Sequence, residues 1–194
     1  MNEAAFLRLA GWSAYAAAGA AIISFVALFI FFAVGGFFGP INDLFSVFQM
    51  LFLIPVALAL HQLLGETAPI LSAAALVVGI GAMVVLAGLQ AALVAGLVAF
   101  EQTLRPVLAV GGVLGLWWLA VGYLSFQHDG LPNGLAWAAL VSGASFVAIV
   151  VGFGQGGQEH PLAAVGFLIG AVAVPIWSIW LGRLLLGASL AVSG

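Results

Sequence analysis

Of 194 residues, 65% are hydrophobic and 5% charged, with no Lys, three Arg and a formal net charge of -3. A water-soluble domain is about a quarter charged and at most half apolar, so the medium around this chain has to be lipid. The same numbers exclude nucleic-acid binding and a polybasic patch for anionic lipid, since three scattered Arg supply neither.

A membrane helix takes about 20 mostly apolar residues, and Gly, Pro and the few charges mark its ends. The opening "MNEAAFLRLAGW" lacks the basic start and short apolar core of a cleavable signal, so the first apolar run is expected to stay in the membrane. Spans are predicted over about 11–34, 41–64, 69–100, 107–126, 135–153 and 161–186. The first ends in Gly35-Gly36, with Gly39-Pro40 beyond, and the second stops at Gly65-Glu66. Thr67 is placed to cap the third, with Pro69 in its first turn, where a missing N–H costs nothing. That third span would be ~45–48 Å long, which calls for tilt or a projecting end. Glu101, Gln102, Arg105 and Pro106 form the break before the fourth. "QHDGLPNG" reads as a turn after it, and "GQGGQEHP" closes the fifth. The expected fold is all-α: one domain over residues 1–194, an integral membrane bundle of six transmembrane helices.

Six crossings put both termini on one face, side A, together with Arg8 and Arg183, and leave Arg105 on side B. The positive-inside rule then makes side A cytoplasmic, in a multi-pass protein of the cell membrane. Trp12, Tyr15, Tyr123, Trp137, Trp177 and Trp180 fall towards side A as an interface belt, while Trp117 and Trp118 lie mid-span. Small residues four apart let backbones approach: Gly88, Ala92 and Gly96; Gly111 and Gly115; Ala139 and Gly143; Gly166 and Gly170. They are read as seams of an intramolecular bundle, with a self-association face as the lesser alternative. Pro55 and Pro175 fall inside the second and sixth spans, where each removes a helix hydrogen bond.

Asn42 and Asp43 stand at the start of the second helix, where short polar side chains satisfy orphan N–H groups. Asn42, Ser46 and Gln49 nonetheless share one face, at i, i+4 and i+7. Gln49 lies about 5 Å to the side-B side of mid-span, and Gln90 lies at a similar depth on the third span. Both amides have to face inward. Either they bond each other, worth about 0.6–2 kcal/mol, or with Ser24 and Ser145 they line a small polar pocket opening to side B. In the second case Asp43, Ser46, Gln49 and Gln90 are the candidate ligand-binding residues, the amides orienting a ligand and Asp43 supplying the ionisable group.

Glu101, Arg105, Glu159 and His160 form a polar rim on the same side. Glu101 and Arg105, at i and i+4, are spaced to pair. His160 has no metal-ligand spacing around it, and Glu159-His160 reads as a solvated loop. His61 is ~27 Å from Asp43 along the helix and belongs elsewhere. It can meet Glu66, His128 or Asp129 on side A, and reads as a snorkelling interfacial side chain.

No HExxH, GxSxG or Walker-type loop is present, and "GFGQGG" follows a membrane span rather than a strand. Lack of Cys excludes disulfides, thiol nucleophiles and Cys-ligated metals, and lack of Lys excludes a Schiff-base cofactor. His61 and His128 sit at span ends, outside the hydrocarbon, which argues against haem. No catalytic residue, metal or cofactor is expected. Two Gln and a few Ser inside the membrane argue against a hydrophilic channel, so any cargo should be small or lipid-like.

The stretches "LIPVALALHQLL" and "AVPIWSIWLGRLLL" resemble segments of short bacterial multi-pass membrane proteins of unknown function. The resemblance covers two of the six spans and implies no binding or catalytic residue. The expected role is a non-enzymatic scaffold or accessory subunit, or a binder of a lipid-like molecule. Its partners would be membrane lipids, and as a subunit other membrane proteins or a second copy. The contrasting expectation is a small transporter or membrane enzyme working through the side-B pocket.

Overall fold

The computed structural model describes residues 2–128 and 131–193, and its described residues form six long helices and no strand. These are α1 (Glu3–Val34), α2 (Phe38–Leu64), α3 (Pro69–Val94), α4 (Phe100–Phe126), α5 (Asn133–Gly156) and α6 (Pro161–Ser193). Each is long and apolar enough to cross a bilayer, so the chain is an all-α, multi-pass membrane bundle.

The helix ends follow local chemistry, and several differ from the sequence expectation. The Asn2 side chain accepts the Ala5 N–H at 2.8 Å, which starts α1 well before residue 11. Gly35 and Gly36, with φ of 70° and 74°, turn the chain from α1 into α2 within three residues. Thr67 does not cap α3: Ala68 precedes Pro69 without any side-chain bond to the helix. The α3 helix ends at Val94 rather than near 100, because Gly96 adopts φ 69°. There the Gly96 and Leu97 N–H groups donate to Leu93 O and Ala92 O at 3.0 and 2.9 Å, closing the helix. At ~39 Å, α3 therefore needs no unusual tilt. The α4 helix begins at Phe100, not 107, with the Gln102 side chain accepting the Ala99 N–H at 3.0 Å. Pro106 is carried inside it, at the loss of one N–H bond.

Each helix packs on the next, and α6 returns against α1, so the six close into a ring; α2 also touches α4 across the interior. The middle of that ring is filled by Trp117 and Trp118 from α4 and Trp177 from α6, all at most 2% exposed. Their rings meet edge-on, with Trp118 and Trp177 centroids 4.1 Å apart. Trp177 therefore does not belong to the interface belt. Because α6 runs on to Ser193, this residue sits at the helix midpoint rather than near its end. Trp12, Tyr123, Trp137 and Trp180 are exposed. Gly79 of α3 admits the plug, since a Cβ there would overlap the Trp117 indole.

Bare backbone makes three of the seams. A Cβ on Gly143 would lie 2.7 Å from Gly115 O, one on Gly182 2.9 Å from Gly11 O, and one on Gly166 2.7 Å from Ser145 O. Gly88 faces open space and Gly96 belongs to a turn, so Gly88, Ala92 and Gly96 form no seam inside the bundle. The contrast predicts opposite responses to one added methyl group. Gly143→Ala should cost about 1–3 kcal/mol by overpacking, whereas Gly88→Ala should be neutral or gain up to about 1 kcal/mol from helix propensity. Thermal unfolding of the two variants in the same detergent checks this, and equal losses would contradict the packing.

A polar recess on side B

The inward stripe of α2 changes character halfway along. From Leu53 through Val56 to Leu60 it is apolar and buried, but the same stripe continued towards side B carries Gln49, Ser46 and Asn42. The α1 helix lays the buried Ser24 against it. The Ser24 hydroxyl donates to Asn42 Oδ1 at 2.8 Å and lies 2.9 Å from Ser46 Oγ and 3.3 Å from Asn42 O. Asn42 in turn donates from Nδ2 to Asp43 Oδ1 at 3.0 Å. One carboxamide thus links the carboxylate to Ser24 and, through Ser24, to Ser46, pairing polar groups across two helices.

Asn42 and Asp43 are not helix caps. Helix α2 starts at Phe38, which places both in its second turn, and the cap position, Phe37, makes no side-chain bond. The sequence put the boundary at the Gly39-Pro40 pair, but Pro near a helix start obstructs nothing.

Gln49 and Gln90 do not bond each other, and neither makes a hydrogen bond among the described residues. Helical geometry gives the reason. His61 of α2 meets Ser72 of α3, with Nδ1 2.9 Å from Ser72 Oγ, which fixes the faces these two helices turn to each other. Asp43 lies five full turns before His61, and Gln90 five full turns after Ser72, so these two share that facing surface. Gln49 is rotated about 120° from the Asp43–His61 line, towards α1. Gln49 is only 6% exposed, while Asn42, Asp43, Ser46 and Gln90 are half-buried. Ser24, Asn42, Asp43 and Ser46 thus form a bonded polar cluster at the side-B end of α1 and α2, with Gln49 on the α1-facing side of α2 and Gln90 across on α3.

Other expected members fall away from it. Ser145 donates to Ser142 O of its own helix at 2.6 Å and packs beside Gly170 of α6, so it has no part in the cluster. Glu101 and Arg105 are exposed on α4 and form no ion pair. Glu159 is exposed in a short turn, and His160 closes the start of α6, its Nδ1 accepting the Leu162 N–H at 3.3 Å. Among the described residues no three His, Asp or Glu come together.

Sequence reasoning missed Ser72, which holds His61 in place of a snorkelling contact; Asp129 lies outside the described residues. The only available signal was the position of both residues beside the α2–α3 turn. A cleft of about 550 Å³ lies on side A, between Glu3, Phe6 and Leu7 of α1 and Gln62, Leu63 and Glu66 at the end of α2.

The cluster offers hydroxyls, a carboxamide and a carboxylate. Its hydroxyls should be energetically coupled. A double-mutant cycle of Ser24→Ala with Ser46→Ala should return about 0.6–1.7 kcal/mol of interaction, and a cycle of Ser145→Ala with Ser46→Ala should return none. Unfolding free energies in one detergent supply both. No protein-family model matches the chain, and no curated protein or solved structure matches it either, so the geometry alone carries the functional reading.

Proposed function

We propose that the protein is a non-enzymatic binder of a lipid-like molecule in the cell membrane, with both termini cytoplasmic and the Asn42–Gln49 polar stripe of α2 on the opposite side. The observation that carries this reading is Gln49, a residue 6% exposed whose amide makes no hydrogen bond among the described residues. An amide in an apolar interior is stable only with partners, and a ligand head group entering from side B would supply them. Phe45 meets Phe48 edge-on and Phe48 stacks on Phe52 along the same helix, with centroids 5.9 and 6.4 Å apart, an aromatic track suited to an apolar tail.

A second reading, a small transporter, is favoured by the half-buried Asp43 in the stripe. The packed Trp117, Trp118 and Trp177 stand across any route from there to side A, which favours binding over passage. Native mass spectrometry of the gently purified protein should reveal a co-purifying amphiphile. Adding that molecule back to wild type should raise the Tm. In the double variant Gln49→Leu/Gln90→Leu the rise should vanish, while the ligand-free Tm stays within about 3 °C. An undiminished rise in the double variant would overturn the proposal.

A further inference from the structure

We propose that Arg8 and Arg183 together hold the phosphate of an anionic phospholipid in the outer groove between α1 and α6. The site lies on side A, opposite the polar stripe of α2, and does not depend on the reading above.

Along the chain these two Arg are scattered, but the fold brings them to one seam. Gly11 meets Gly182 there, a Cβ on Gly182 falling only 2.9 Å from Gly11 O. Arg8 stands three residues before Gly11, and Arg183 one residue after Gly182. Because α1 and α6 run antiparallel, both steps lead towards side A, and the two Cα atoms differ in depth by only ~3 Å. Rotation agrees with depth. At 100° per residue, Arg8 is turned about 60° from Gly11 and Arg183 about 100° from Gly182. Ala10 and Leu181, turned the opposite way, are fully buried, whereas both Arg are exposed. Both side chains therefore leave from the outer side of the seam. Tyr15 covers that seam about one turn deeper, its Cδ2 3.3 Å from the place of a Gly182 Cβ, and Trp12 lies against it with ring centroids 5.8 Å apart.

Depth and charge point to the occupant. Arg183 is ~33 Å from the side-B start of α6, about one hydrocarbon thickness, which puts the pair at the level of the side-A head groups. Trp12 and Tyr15 are aromatics of the kind that settle at that boundary. Neither Arg makes an ion pair among the described residues. Of the described side-A carboxylates, Glu3 and Glu66 line the cleft between α1 and α2 instead. A guanidinium has five N–H donors in a planar fork and no acceptor, so two of them match the oxygens and the charge of a phosphate. Two cations make no polybasic patch, yet one phosphate between neighbouring helices needs no more. A zwitterionic head would bring its own ammonium beside them, which weakens the match.

The test offers the full chain equal amounts of phosphatidylglycerol and phosphatidylcholine in detergent and counts retained lipid by native mass spectrometry. Wild type should keep phosphatidylglycerol several-fold over phosphatidylcholine. Arg8→Gln and Arg183→Gln should each lose most of that preference and the double variant all of it, while Arg105→Gln on side B should keep it. Thermal unfolding in nanodiscs gives a second readout: the Tm gained by exchanging phosphatidylcholine for phosphatidylglycerol should vanish in the double variant. Should the double variant fail to fold, the single variants and the wild-type preference decide. Equal retention of the two lipids by wild type, or an equal loss in Arg105→Gln, would overturn the proposal. If excess inorganic phosphate displaced the retained lipid, or alone gave the full gain in Tm, the groove would be a site for a free anion and the inference would fall.

Discussion

In hydrocarbon a helix gains nothing by hiding Leu against another helix, because the lipid tails it leaves are just as apolar. What remains is close contact between backbones and pairing of polar groups that would otherwise face lipid unsatisfied. Both are visible in this ring. Gly11 meets Gly182, Gly115 meets Gly143, and Gly166 meets the backbone of Ser145, each at a distance no side chain would permit. The indoles of Trp117, Trp118 and Trp177 then occupy the space that six helices enclose.

The same constraint decides where polar chemistry can stand. Most buried hydroxyls spend their proton on their own helix, as Ser125 does on Val121 O and Ser142 on Ala138 O, and so become neutral to their surroundings. Among the described residues, Ser178 Oγ and Trp177 Nε1 are buried without a partner, and two places bond across helices instead. On side A, His61 and Ser72 bond across α2 and α3. On side B, Ser24, Asn42, Asp43 and Ser46 bond across α1 and α2, with Gln49 one turn deeper and unpaired. The first pair joins one face to another and is complete. In the second the carboxylate accepts one bond, from Asn42, and the Gln49 amide makes none among the described residues.

Solvent access sharpens the difference. Asn42, Asp43, Ser46 and Gln90 are half-buried, whereas Leu53 and Met83, two to three turns deeper, are fully buried. Polarity therefore fades with depth from side B and ends at the tryptophans.

The sequence by itself determined the medium, the six crossings and the polarity of the second span, because each depends on composition or on the 3.6-residue period of one helix. Asp43, Ser46 and Gln49 could be singled out on that basis. Helix ends were less legible: Gly96 and the Gln102 cap override the weaker signals of Phe100 and Pro106, and a Pro within a long helix removes only one bond. Only the tertiary structure decided which polar groups meet. Ser24 joins Asn42 while Ser145 turns to its own helix, Gln49 points away from Gln90, and Trp177 leaves the interface for the centre. Those outcomes depend on how one helix is rotated against another. Seams of bare Gly backbone set that rotation, and spacing along a single helix carries no record of it.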